Sequence, residues 1–233
     1  MSAENGIFIF SSVGVALLHT LSGPDHYLPF IALSQSKKWS LRYTMFWTII
    51  CGIGHVGSSV ILGLGGAALG WNLGKLLAVE NIRGGIAGWA YIFLGNAYML
   101  WGLFQAQKNK SHKHFESDRE GNMFVFEHYH ETTSQPIQKH KITPWVIFII
   151  FLLGPCEPMI PLLFAPAAQH SLSGMTTLIT TYTFITLLTM MAMVVLGLKG
   201  IAYSHMQNLE KYMHAIAGFT ILACGAGMVF LNW

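Results

Sequence analysis

Charged residues are scarce in this chain, since Lys, Arg, Asp and Glu together make up only 10% of its 233 residues. A soluble domain carries roughly a quarter charged residues, so the composition excludes an ordinary soluble protein. The formal net charge of +3 is small and gives no indication of nucleic-acid binding.

Cysteine is also rare, and its three copies lie far apart, at Cys51, Cys156 and Cys224. No two of them form a CxxC pair, which argues against a thiol zinc knuckle. The three cysteines lie in separate apolar segments, which also argues against a disulfide framework.

Apolar residues are abundant instead, at 53% of the chain, and they form segments long enough for membrane-spanning helices. We predict an all-α integral protein of the cell (inner) membrane. Its six spans are predicted at residues 7–33, 43–69, 84–106, 144–168, 174–198 and 213–232.

Two of these spans are interrupted by Gly and Pro. The first break is the stretch GPDHYLP at residues 23–29, and the second break is GPCEPMIP at residues 154–161, about 131 residues later. Each break places ionisable side chains inside an apolar segment. Interrupted helices at matching positions of two halves indicate the central binding site of a transporter.

The similarity between the halves extends beyond the breaks. VILGLGG at residues 60–66 matches VVLGLKG at 194–200, and IAG at 86–88 matches IAG at 216–218. Three helices per half is an odd number, so the halves must be inverted relative to each other in the membrane. We therefore predict a first repeat at 1–106, a linker at 107–143 and a second repeat at 144–233.

The linker is polar and carries five histidines. They could collect metal weakly, or the linker could simply be solvated, and both readings stay open. The histidines are His112, His114, His128, His130 and His140.

Basic residues predict the orientation of the protein. Eleven of the thirteen Lys and Arg residues fall in the first, third and fifth loops, whereas the second loop has only Lys75 and Arg83. Positively charged loops stay on the cytoplasmic side of a membrane. The linker is therefore predicted to be cytoplasmic, with both termini outside the cytoplasm.

Asp25 and Glu157 are the two acidic residues that fall inside predicted spans. A charge at the centre of a bilayer costs roughly 2.5–3.5 kcal/mol on insertion scales, which makes such a residue a functional candidate. Aligning the breaks sets Asp25 against Cys156 and His26 against Glu157. We expect the breaks to meet near mid-membrane, although Asp25 and His26 could instead only cap a half-helix.

His19 and His55 add two imidazoles to the first half. The break allows the chain to fold back and bring His19 towards His26. A lone buried histidine such as His55 is often just a hydrogen-bonded packing residue. Together with Asp25, however, these imidazoles form a donor set that suits nickel, cobalt or zinc.

The stretch HTLSGPDH at residues 19–26 resembles the His-x-x-x-x-Asp-His signature of nickel/cobalt permeases and a similar segment of the small nickel permeases. Here five residues, not four, separate His19 from Asp25. The resemblance implies a six-helix permease that carries nickel or cobalt. GPCEPMIP is similar to the Pro-Cys segment of the thiol–disulfide conduits of cytochrome c biogenesis, which carry one reactive cysteine in each half.

The sequence thus indicates a carrier of divalent transition-metal cations, not an enzyme, that works by alternating access. Nickel or cobalt is expected first and zinc next, as cargo and not as a prosthetic group. Its partners are the ion and the lipid bilayer, with protons as a candidate coupling ion and no nucleic acid. The alternatives are an intramembrane metal-dependent hydrolase and a thiol-linked conduit. The predicted metal ligands are His19, Asp25, His26, His55, Cys156 and Glu157.

Thiol labelling in intact cells tests the orientation. In a variant without native cysteines, Ser134→Cys in the linker should resist an impermeant thiol reagent, whereas Ser2→Cys should react. This result follows from the partition of basic residues between the loops. The opposite labelling pattern would reverse the topology.

Overall fold

The computed structural model describes residues 3–108, 112–117, 123–128, 142–168, 171–203 and 211–231. Within these ranges the chain forms α-helices and two short strands. The elements are α1 (Ala3–Ser22), α2 (Leu28–Ser36), α3 (Leu41–Ala68), α4 (Leu73–Lys108), β1 (His112–Ser117), β2 (Met123–His128), α5 (Ile142–Leu153), α6 (Met159–Ala168), α7 (Leu172–Tyr203) and α8 (Met213–Phe230).

Both predicted breaks are confirmed. Helix α1 ends just before Gly23, and a single 3-10 turn, Pro24–His26, leads into α2. Helix α5 ends just before Gly154, whose N–H donates to the carbonyl of Ile150 at 2.8 Å. Proline follows the glycine in each break, lacks an N–H and cannot continue the helical hydrogen bonds.

Helix α4 contains the predicted third span, residues 84–106, and extends beyond its start. Helix α4 begins at Leu73 and not near residue 84, and the Asn72 side chain accepts a hydrogen bond from the Lys75 N–H at its start. Lys75 and Arg83 therefore lie on a helix and not in a loop. Arg83 donates to Glu80 at 2.8 Å, one turn earlier. This pairing neutralises both charges and allows the helix to include them.

In the part of the chain that the structure describes, three helices are long and apolar enough to cross a membrane, at Leu41–Ala68, Leu172–Gly200 and Met213–Phe230. Gly6–Ser22 and Pro144–Leu153 are shorter apolar helices. Large apolar side chains cover the outside, among them Phe10 at 83% and Ile61 at 74% exposed. Such a surface belongs in contact with lipid, as expected of a membrane protein.

The contact between α4 and α8 is the most extensive in the bundle. Glycines allow the two backbones to touch. A Cβ atom at Gly95 would fall on the backbone of Leu222, and one at Gly218 would fall on the backbone of Met99. A Cβ at Gly225 would lie 2.7 Å from the Gly88 carbonyl. We call this contact the glycine seam. Small residues are typical of closely packed membrane helices.

The remaining helices pack around this pair. Helix α1 packs on α7 and α3 packs on α5, while α2 contacts α8 and α6 contacts α4. Helices α3 and α7 also contact each other. Near the middle, the Phe30 ring of α2 lies 5.0 Å, centroid to centroid, from the Phe151 ring of α5. Helices α2 and α5, one beside each break, thus both contribute to the shared core.

The described part of the linker forms two antiparallel strands, a feature that the composition did not predict. Strand β1 pairs with β2 so that His112 stands opposite His128, and His114 opposite Phe126. His130 and His140 lie outside the described residues. Metal collection by the linker therefore stays a prediction.

Gly95→Ala should lower the free energy of unfolding by about 1–3 kcal/mol, because the added methyl group overlaps backbone that cannot move aside. Gly85→Ala is the matched control on the same helix, since nothing lies within 4 Å of a Cβ there. Thermal unfolding of the two purified variants in detergent provides the comparison. Equal midpoints would contradict the close approach of α4 and α8.

Candidate metal site

Three imidazoles converge where α1, the 3-10 turn and α3 meet. His19 lies in the last turn of α1, His26 in the 3-10 turn and His55 in the middle of α3. Each offers a ring nitrogen, and these three atoms all lie within 4.8 Å of one another. We call these residues the His cluster. The rings of His26 and His55 are buried, at 2% and 3% exposed.

The first break shapes the position of His26. The 3-10 turn folds the chain back so that the His26 ring lies 4.7 Å from the His19 ring, centroid to centroid. Gly23 leaves the space that this ring needs, since a Cβ there would lie 2.6 Å from His26 Nδ1. The predicted fold-back of His19 and His26 is therefore seen in the structure.

Hydrogen bonding defines which nitrogen of His26 is free. Its Nδ1 lies 2.9 Å from the Gly23 carbonyl, so the Nδ1–H donates to that oxygen. The Asp25 carboxylate stands 3.2 Å from the same nitrogen. In the neutral ring, Nε2 then carries a lone pair, which faces His55.

His55 is arranged in the same way. Its Nδ1 lies 3.4 Å from the Phe151 carbonyl of α5, which leaves a lone pair on Nε2. The Nε2 atoms of His55 and His26 are 3.2 Å apart. With metal–nitrogen bonds of 2.0–2.1 Å and tetrahedral angles, two imidazole nitrogens on one ion stand about 3.3 Å apart. The spacing therefore suits one shared cation.

One further nitrogen beside this pair is unsatisfied. Among the described residues, the buried His19 Nε2 has no hydrogen-bond partner, whereas the buried Asp25 Oδ1 has its ion-pair contact with His26 Nδ1 at 3.2 Å. Buried polar atoms without partners are uncommon and call for an explanation. Imidazole nitrogens beside one carboxylate oxygen form a donor set that a transition-metal cation would satisfy.

The second break contributes its backbone to this region. A Cβ at Gly154 would lie 3.3 Å from His55 Nδ1, so the break passes directly beside the ring. Cys156 is fully buried, and its N–H donates to Ser59, one turn along α3 from His55. Its Sγ lies 3.3 Å from the Tyr182 hydroxyl, and the thiol is not part of the His cluster.

Glu157 occupies a different position from the one expected for a ligand. Its side chain is exposed and lines a cavity of about 100 Å³ between α4, the second break and α8. Pro155 and Gly84 also line this cavity. The structure thus brings together His19, His26 and His55, with Asp25 beside them, while Cys156 and Glu157 lie outside the group.

Sequence reasoning overlooked two residues near the site, Glu80 and Arg83. Glu80 is fully buried, and Arg83 also donates to Ser58 on α3 and to the carbonyls of Leu152 and Gly154. The sequence did contain a signal for this pair. Glu80 and Arg83 have opposite charges and are three residues apart, a spacing that places both on one face of a helix.

His214 lies apart from the His cluster. Its Nδ1 is 2.8 Å from the Tyr98 hydroxyl, which also approaches the Ser36 hydroxyl at 3.2 Å. These contacts connect the start of α8 with α4 and with the end of α2. His214 therefore serves as a histidine control for the site.

Comparison of this chain with protein-family models, with curated proteins and with solved structures found no match. Because no similar protein indicates a function, the function is argued from the geometry of the His cluster.

Equilibrium binding of nickel, cobalt or zinc to the purified protein tests the cluster. One ion should bind per chain, and His26→Ala or His55→Ala should each weaken binding by more than about tenfold, since each removes a donor nitrogen. His214→Gln should bind as the wild-type protein does. Unchanged affinity after the loss of His55 would exclude the cluster as the ion site.

Proposed function

We propose that the protein is a membrane carrier of divalent transition-metal cations, with nickel or cobalt as the first expectation and zinc as the next. One observation carries this proposal: the facing Nε2 atoms of His26 and His55, with the unpartnered Nε2 of His19 beside them. These nitrogens lie inside a bundle of apolar helices, where water is not at hand to satisfy them.

The chemistry of the donors supports this class of ion. Neutral imidazoles prefer nickel, cobalt and zinc, whereas magnesium and calcium prefer cages built from oxygen atoms. Asp25 supplies negative charge close to the ion, and its carboxylate also orients the His26 ring. Availability and geometry, more than affinity, decide among the first-row ions.

The packing supports an inverted repeat of three plus three spans. In such a repeat, helices α1 to α4 correspond in order to α5 to α8. The α1–α7 contact then corresponds to α5–α3, the α2–α8 contact to α6–α4 and the α2–α7 contact to α6–α3. All six contacts are present. The α4–α8 and α3–α7 contacts exchange into themselves. A pseudo-two-fold axis in the membrane plane accounts for this pattern.

Alternating access follows from such an architecture. His55 contacts the first break through Nε2 and the second broken span through Nδ1. Movement of one repeat against the other would therefore change the surroundings of the bound ion. In this proposal the protein resides in the inner membrane with a cytoplasmic linker, and protons are the candidate coupling ion.

An intramembrane metal-dependent hydrolase is the second candidate. Three imidazoles leave a fourth coordination position open, as catalytic zinc sites do for the water that they activate. The paired breaks favour transport over this reading, because a hydrolase has no need of a second interrupted span. No contact of the described residues favours the thiol conduit, since Cys51, Cys156 and Cys224 are all free thiols.

Uptake of radioactive nickel into proteoliposomes tests transport directly. Asp25→Asn should reduce uptake by about 10- to 100-fold at unchanged expression, because the isosteric amide removes the charge that stabilises the ion. His214→Gln is the matched control and should transport normally. Wild-type uptake by Asp25→Asn would remove this carboxylate from the mechanism. Nickel binding without any uptake would favour the hydrolase.

A further inference from the structure

Arg83 makes four hydrogen-bond contacts, two of which reach the start of the second break. Its Nη1 donates to Glu80 at 2.8 Å, and its Nη2 lies 2.6 Å from the Ser58 hydroxyl. The two N–H groups of Nη2 are shared with the carbonyls of Leu152 at 2.8 Å and Gly154 at 3.3 Å. Leu152 lies in the last turn of α5 and Gly154 directly follows it, where helical partners run out and the helix dipole attracts positive charge.

The segment that Arg83 holds lies next to both the His cluster and the Glu157 cavity. Gly154 faces His55, since a Cβ added at Gly154 would lie 3.3 Å from His55 Nδ1. Pro155 and Glu157 line the cavity. Pro155 also packs tightly on α4, since a Cβ at Gly84 would lie 2.8 Å from its Cγ. Two adjacent residues of unwound chain thus connect the cavity with the surroundings of the cluster.

We propose that Gly154 and Pro155 are the gate between the Glu157 cavity and the His cluster, and that Arg83 is the positioning residue that keeps this gate closed. The identity of the ion that passes rests on the proposed function, but the closed gate itself does not. Glu157 then stands at the entrance, where a carboxylate attracts cations from solution.

The chemistry of Arg83 suits this role. A planar guanidinium presents several N–H groups in a fixed fork, so Nη1 can bind the Glu80 carboxylate while the two N–H groups of Nη2 are shared among a hydroxyl and two carbonyls. Glu80 is fully buried and holds the guanidinium in place from within the same helix. A lysine would keep the positive charge beside Glu80 but could not reach all four acceptors.

Reactivity of Cys156 measures the gate without any transported ion. This thiol directly follows Pro155 and is fully buried, as are Cys51 at 0% and Cys224 at 1% exposed. In membranes that contain the full chain, Arg83→Lys should raise the rate of Cys156 modification by a small charged thiosulfonate at least about tenfold. Mass spectrometry should show Cys51 and Cys224 as unreactive as in the wild-type protein.

Two variants serve as controls for this experiment. Lys75→Gln removes a cation from the same helix that contacts the Trp71 ring and not the break, and it should leave Cys156 unreactive. The double variant Glu80→Gln/Arg83→Gln leaves no unpaired charge, yet it should also expose Cys156, because the bonds to the break are lost. This second variant keeps the test valid if Arg83→Lys fails to fold.

Nickel binding separates the gate from the site. Equilibrium affinity of Arg83→Lys should stay within about twofold of wild type, while the rates of ion entry and exit rise. An unreactive Cys156 in both Arg83 variants would overturn the gate, and so would equal exposure of all three cysteines. Failure of nickel uptake in the wild-type protein would instead contradict the proposed function and leave the labelling result standing.

Discussion

The arrangement of the site depends on the fixed orientation of the His26 and His55 rings, whose Nε2 atoms face each other. Each ring commits its Nδ1–H to a backbone carbonyl, of Gly23 in one case and of Phe151 in the other. The two remaining lone pairs then meet at 3.2 Å. With both rings neutral, the carbonyls of Gly23 and Phe151 thus leave two lone pairs facing each other, which is the arrangement that the proposed cation site requires.

Gly154 connects this pair of histidines with the second break and with Arg83 of α4. Its missing side chain admits the His55 ring on one face, and its carbonyl accepts a hydrogen bond from Arg83 on the other. The two interactions together hold unwound backbone at a depth where every polar group needs a partner within the protein. A change in the packing of Gly154 against His55 would therefore alter its hydrogen bond with Arg83, and the reverse also holds.

The sequence predicted those features that local covalent chemistry determines. A Gly-Pro pair interrupts a helix, as it does at residues 23–24 and 154–155. Imidazoles next to such a break in an apolar segment indicate a functional site. The directions of Cys156 and Glu157 could not be predicted, because side chains follow no fixed period once the helix has ended. Burial of Glu80 was not predicted, because a hydropathy scale scores each charged residue by itself. The structure instead buries Glu80 as an ion pair with Arg83.

The glycine seam has a mechanical consequence. Backbone touches backbone at Gly95 and again at Gly218, so α4 and α8 have no side-chain layer across which they can slide. Helices α4 and α8 are thereby held together as one rigid pair. Under the proposed function, we expect the conformational change in the interrupted helices, α1–α2 and α5–α6, and not between α4 and α8. Arg83 belongs to this rigid pair, and its hydrogen bonds therefore anchor the second break to it.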